Sequence, residues 1–137
     1  MSGMRRHPVV AVGAVAVRDD GALLLVRRGK APALGRWSLP GGRVEWAEAL
    51  SEALRREVAE ETGLEVVPGE LAGLVERIHL NEGFHYVILD YHVTITGGTL
   101  RPGSDVTDAR WVLPSEVALL EVSDGLLEAL RDFGLEL

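Results

Sequence analysis

The sequence predicts an α+β fold, a mixed β-sheet with one long helix on one face and a C-terminal helix on the other. Three observations carry that expectation. Strand-like runs stand before and after a single helical segment free of Gly and Pro, Glu48 to Thr62. A second helical segment closes the chain after Ser123. The 137 residues, 47% hydrophobic and 26% charged, fit one domain with a sizeable core.

Val9 to Arg18 and Ala22 to Arg28 read as two strands joined by Asp19-Asp20-Gly21, a hairpin signal. Gly29 to Arg36 is looser, and Trp37-Ser38-Leu39 reads as a short strand ended by Pro40-Gly41-Gly42. The long helix follows, with Gly63 placed to cap it. Leu64 to Val67, Leu71 to Leu80, His85 to Thr96 and Arg110 to Leu113 are further strand candidates. Gly97 to Asp108 reads as a long surface loop, and Ser123 as the N-cap of a helix reaching Phe133 and ending at Gly134. A single domain over residues 1–137 is expected, its core spanning about 8–134.

Composition narrows the function. Without Cys the chain has no thiolate nucleophile, Cys-bound zinc or disulfide. A net charge of −7 opposes binding to nucleic-acid polymers and favours cations. Met1 to Arg6 carries two arginines, and the apolar run Val9 to Val17 is far too short to span a membrane. That run reads as a buried first strand, and a cytoplasmic protein is expected.

The long helix carries the chemistry. At 100° per residue, Ala47, Leu50, Leu54 and Val58 form one apolar stripe. Ser51, Glu52, Arg55, Ala59 and Thr62 fall on the opposite, solvent-facing side. Glu57, Glu61 and Glu60, the last about 60° from Glu57, all lie on or beside the stripe. In its last turn and a half the inward face therefore changes from aliphatic to triply carboxylate. Clustered, partly buried carboxylates repel each other and lose hydration, a cost that a hard divalent cation offsets. Arg56 alone cannot neutralise three acids. Just upstream, Gly41 and Gly42 expose peptide groups that can reach a metal or a phosphate.

Gly42, Glu48, Arg56, Glu57, Val58, Glu60, Glu61, Gly63 and Leu64 together resemble the signature of the Nudix hydrolase family. The signature's glycine comes first, its Arg-Glu pair and Glu-Glu pair lie on the helix, and the match runs over 23 residues. Many members have Gly before the first Glu, where this chain has Ala47. The resemblance implies the Nudix-type α/β/α sandwich and Mg²⁺- or Mn²⁺-dependent hydrolysis of a nucleoside diphosphate linked to another group. It places Glu57, Glu60 and Glu61 as metal-binding acids, Gly41 as a carbonyl ligand, and Glu57 as the group that orients or deprotonates the attacking water. Glu48 and Arg56 become supports of the loop and helix, Arg56 being counted with the catalytic set.

Within the family, the stretch from His85 to Asp90 together with Asp108 to Val112 is similar to ADP-ribose-pyrophosphatase-like members, with a MutT-like nucleoside triphosphate pyrophosphohydrolase as the alternative. A non-catalytic nucleotide-sugar sensor is a third reading, and a homodimer is an expected assembly. Asp105 in the long loop is a candidate additional acid, with Asp108 and Glu82 as rivals. Arg28 and Arg43, alongside Arg27 and Arg36, are candidates for phosphate contacts. Trp37, Trp46 and Tyr86 could stack on a base or belong to the core, and His79, His85 and His92 show no metal-ligand spacing.

Overall fold

The computed structural model describes residues 6–137. Met1 to Arg5, most of the arginine-bearing N-terminal segment, lie outside the described residues. Seven strands and three helices follow in order: β1 Val9–Val15, β2 Leu23–Arg28, β3 Trp37–Ser38, β4 Gly41–Arg43, α1 Leu50–Thr62, β5 Leu64–His79, β6 Phe84–Gly98, β7 Val106–Val112, α2 Pro114–Val117 and α3 Leu126–Asp132.

They form a four-stranded sheet, β4-β1-β6-β5, and a three-stranded sheet, β3-β2-β7. The larger sheet is mixed, because β1 runs parallel to β6 and antiparallel to β4. Side-chain alternation then builds two cores. Val12, Ala14, Ala16 and Leu24 pack with Ala53, Leu54 and Val58 of α1. Val15, Leu23, Leu25 and Trp37 pack instead with Val117, Leu126 and Leu130 from the two C-terminal helices. The fold is the expected α/β/α sandwich. No helix among the described residues is long and apolar enough to cross a membrane.

Several boundaries differ from the sequence reading. The Asp19-Asp20-Gly21 turn forms, with Arg18 N–H donating to the Ala22 carbonyl at 2.8 Å, and Val17 bridges Leu23. The ladder stops there, because β1 already has β4 and β6 on its two edges and β2 joins the other sheet. The strands expected at Leu64–Val67 and Leu71–Leu80 are one bent strand, interrupted by register shifts around Pro68. Proline is tolerated because β5 is an edge strand. The long loop shortens to 99–105 as β6 and β7 extend into it, which places Asp108 inside β7. Thr62 is buried, not solvent-facing; its hydroxyl donates to the Val58 carbonyl at 2.6 Å. Ser123 does not cap α3. Gly125, at φ +81°, takes the N-cap position and the helix starts at Leu126. The four-residue α2 was not anticipated, being too short to show a helical period.

Candidate active site

The C-terminal turns of α1 meet the glycine turn at β4. Gly63 ends the helix at φ +74°, its N–H donating to the Ala59 carbonyl at 2.9 Å. Loop 99–105 then docks on this end: Arg101 N–H donates to the Thr62 carbonyl and Gly103 N–H to that of Glu61, each at 2.9 Å. A side chain on Gly103 would overlap the Glu60 carbonyl, so the close approach requires glycine. The loop thereby satisfies helix carbonyls that α1 cannot satisfy internally.

Before the helix, residues 45–48 form a turn. Glu48 N–H donates to the Glu45 carbonyl and Glu45 N–H to the Glu48 carboxylate, both at 3.0 Å. Ala47 lies in the left-handed region at φ +64°, which accounts physically for the glycine common at this place in the family. It also delays the helix from the expected Glu48 to Leu50.

Arg56 organises the junction. Its guanidinium grips Glu48 with two 2.8 Å hydrogen bonds, reaches the Arg43 carbonyl at 3.0 Å and donates to Glu57 at 2.7 Å. Arg56 and the Glu45 amide hold the Glu48 carboxyl down to about 2. One side chain thus links the turn, β4 and the acidic face of the helix.

Glu57 and Glu61 line a cleft of about 800 Å³ with Gly41, Gly42, Arg28, Arg43 and Asp105. Glu61 is only 8% exposed and accepts the Gly41 N–H at 2.8 Å. Burial pushes its carboxyl up to about 7, against the opposing effect of that hydrogen bond. Burial also raises Glu57, although Arg56 pulls the other way. A Cβ on Gly42 would overlap the Glu57 carboxylate as it lies, so a side chain there would push this acid away from the turn.

Contrary to the helix phase, Glu60 does not face inward with Glu57 and Glu61. Its side chain is 58% exposed and lies 3.6 Å from Arg56, at the rim and outside the cleft lining. No group of three or more His, Asp or Glu side chains is gathered into a ready cage among the described residues. The oxygen donors present, two cleft carboxylates beside the exposed peptide groups of a glycine turn, fit a hard cation that keeps part of its water.

The other candidates separate. Arg28 and Asp105 reach the cleft, Arg28 lowering the Glu61 carboxyl and Asp105 raising it, while Asp105 also pairs with Lys30 at 3.3 Å. Arg43 lines the cleft. Asp108 points to Arg110, 2.8 Å away, and Glu82 stands 3.9 Å from His79; neither lines the cleft. Trp37 is core, Trp46 is 97% exposed, and Tyr86 lines the cleft stacked on Phe84. Three cleft acids, Glu45, Asp90 and Asp124, were not singled out from the sequence, and of these only Asp90 is buried. Asp90, 4% exposed, lies within the apolar β6, and a charged residue between Val87-Ile88-Leu89 and Tyr91 was the available signal.

The chain belongs to the Nudix family, whose domain model matches residues 7–133. It is 38% identical over 109 residues to a MutT-like protein of Streptomyces ambofaciens, covering 80% of this chain and 66% of the relative. It is also 34% identical over 105 residues to an ADP-ribose pyrophosphatase of Methanocaldococcus jannaschii, covering 77% and 62%. The chain thus spans just under two thirds of the length of these curated relatives. In fold it matches the crystal structure of a MutT protein from Methanosarcina mazei, with a TM-score of 0.83, 25% identity and 96% coverage of both chains.

Proposed function

We propose that the protein hydrolyses the pyrophosphate bond of a nucleoside diphosphate linked to another moiety, with ADP-ribose the favoured substrate. The carrying observation is that two mutually repelling carboxylates, the buried Glu61 and the half-buried Glu57, meet a glycine turn inside a cleft. That arrangement is costly unless positive charge arrives.

In this reading Glu57, Glu61 and the Gly41 carbonyl hold Mg²⁺ or Mn²⁺, and Glu60 joins from the rim. A divalent cation held there offsets phosphate charge and makes water a stronger nucleophile. Glu57, oriented by Arg56, takes the proton of the attacking water. Arg28 and Arg43 meet the phosphates, and Asp105 is the additional acid nearest the site. Glu48 and Arg56 act by fixing the geometry.

The similarity to an ADP-ribose pyrophosphatase supports the substrate class. The MutT-like relative supports nucleoside triphosphate pyrophosphohydrolysis as the second reading. Exposed Val10, Leu74 and Ile78, on the α1 side of the larger sheet, support a homodimer. A cytoplasmic setting goes with a soluble nucleotide substrate.

The test is turnover of ADP-ribose, other nucleoside diphosphate derivatives and nucleoside triphosphates with Mg²⁺ or Mn²⁺, products being identified by mass in ¹⁸O-water. Glu57→Gln should lower kcat by roughly 100-fold or more while the protein stays folded. Absence of metal-dependent turnover across the panel, with nucleotide binding retained, would leave the sensor reading in its place.

A further inference from the structure

Beyond the acids, the cleft crosses the face of the larger sheet, and the strand register orders what lies there. Gly41 of β4 pairs with Gly13 of β1, Gly13 with Asp90 of β6, and Asp90 with Gly73 of β5. Asp90 therefore carries the one side chain in a row of glycines. Its carboxylate lies over Gly13, where any Cβ would overlap Oδ1. The Phe133 ring occupies the space above Gly73 and closes the row on that side. Toward β4, two strand spacings or about 10 Å from Asp90, the row opens on the glycine turn and the acids.

Although Asp90 is only 4% exposed, no hydrogen bond to its carboxylate forms among the described residues. Arg77, the nearest influence, donates instead to the Gly125 and Glu76 carbonyls. Two residues away along the strands lie Ala11, Ile88 and Val75, an apolar floor. Tyr86, about 13 Å along β6 from Asp90, stacks on Phe84 at the far end. The cleft thus runs from acids to a bare glycine strip with one carboxylate, then to an apolar and aromatic floor.

We propose that Asp90 reads the sugar of the nucleotide, its carboxylate accepting hydrogen bonds from the ribose hydroxyls. This rests on the cleft being a nucleotide site. A phosphate group belongs at the acidic, metal-binding end and a base on the apolar floor, so the part between them meets Asp90. The glycines on either side leave room for a sugar ring against the sheet. A carboxylate with no donor of its own matches a vicinal diol, which supplies two.

The experiment is calorimetric binding of AMP, 2′-deoxy-AMP, 3′-deoxy-AMP and IMP to the intact protein and to Asp90→Asn, with Mg²⁺ present. The wild type should bind AMP roughly 10- to 100-fold more tightly than the deoxy analogues, the range for a hydrogen bond to a charged group. Asp90→Asn should lose most of that ratio while treating AMP and IMP as the wild type does. Equal wild-type affinity for AMP and both deoxy analogues overturns the proposal, whether or not the variant folds. So does a variant whose AMP-to-IMP ratio changes while its sugar preference stays, which would make Asp90 a base reader. Sugar preference without metal-dependent turnover of any nucleotide in the panel would leave this inference standing and overturn the proposed hydrolysis instead.

Discussion

The backbone N–H of Gly41 donates to Glu61 Oε1 at 2.8 Å, joining β4 to the last turn of α1. The hydrogen bond orients the carboxylate, while burial raises it to about 7. A carboxyl raised on folding makes stability fall as pH rises through that range. Glu61→Gln keeps an acceptor for Gly41 and removes the charge. In EDTA at pH 8 the variant should melt higher than the wild type, and at pH 4 the two should coincide. Adding Mg²⁺ should raise the wild-type Tm and move the variant much less. Thermal unfolding with and without metal reads both effects, and a variant that gains as much from Mg²⁺ as the wild type would contradict the role given to Glu61.

Arg56 provides a second test because its fork geometry matters as much as its charge. Arg56→Lys retains the charge but cannot span both oxygens of Glu48 while also reaching the Arg43 carbonyl and Glu57. We expect a loss of about 2 kcal/mol in chemical denaturation and a fall in kcat with little change in KM. A lysine variant with full activity and stability would show that these contacts do not fix the site.

How much was legible in the sequence follows from which contacts are local. The phase of α1, its end at Gly63 and the inward turn of Glu57 and Glu61 depend on a 3.6-residue period. Depth does not: Glu60 was expected on the inward side as well, yet it is exposed, while Glu61, 100° further round the helix, is buried and accepts the Gly41 N–H. The parting of β1 and β2 into different sheets was hidden for a similar reason. It depends on β4 and β6 having claimed the edges of β1, a long-range pairing that no turn signal encodes. Asp90 acquires its setting from glycines on two other strands, which only register reveals.

Ala47 is the position where local geometry and residue type disagree. At φ +64° its methyl group is strained, and the residue is exposed, so little packing depends on it. Ala47→Gly should raise stability by about 1 kcal/mol, read as a higher denaturant midpoint with an unchanged slope. A lower midpoint would mean that the entropy gained by the unfolded chain outweighs the strain relieved.

Asp90 joins stability to function. Burial raises its carboxyl to about 6, with Arg77 of β5 opposing. Gly13 and Gly73, its partners on β1 and β5, bring no charge, and His79, Tyr86 and Asp124 share the cleft. Below about pH 3 the group is protonated whether the chain is folded or not. As pH rises through 6, the folded state must carry a poorly solvated charge that the unfolded state hydrates freely, so stability falls. Asp90→Asn should therefore match the wild type near pH 3 and exceed it by about 2 to 3 kcal/mol at pH 8. Urea denaturation across that range checks the sign. A variant less stable than the wild type at pH 8 would mean that the ionised carboxylate has a protein partner, and that Asp90 serves the fold instead of the ligand.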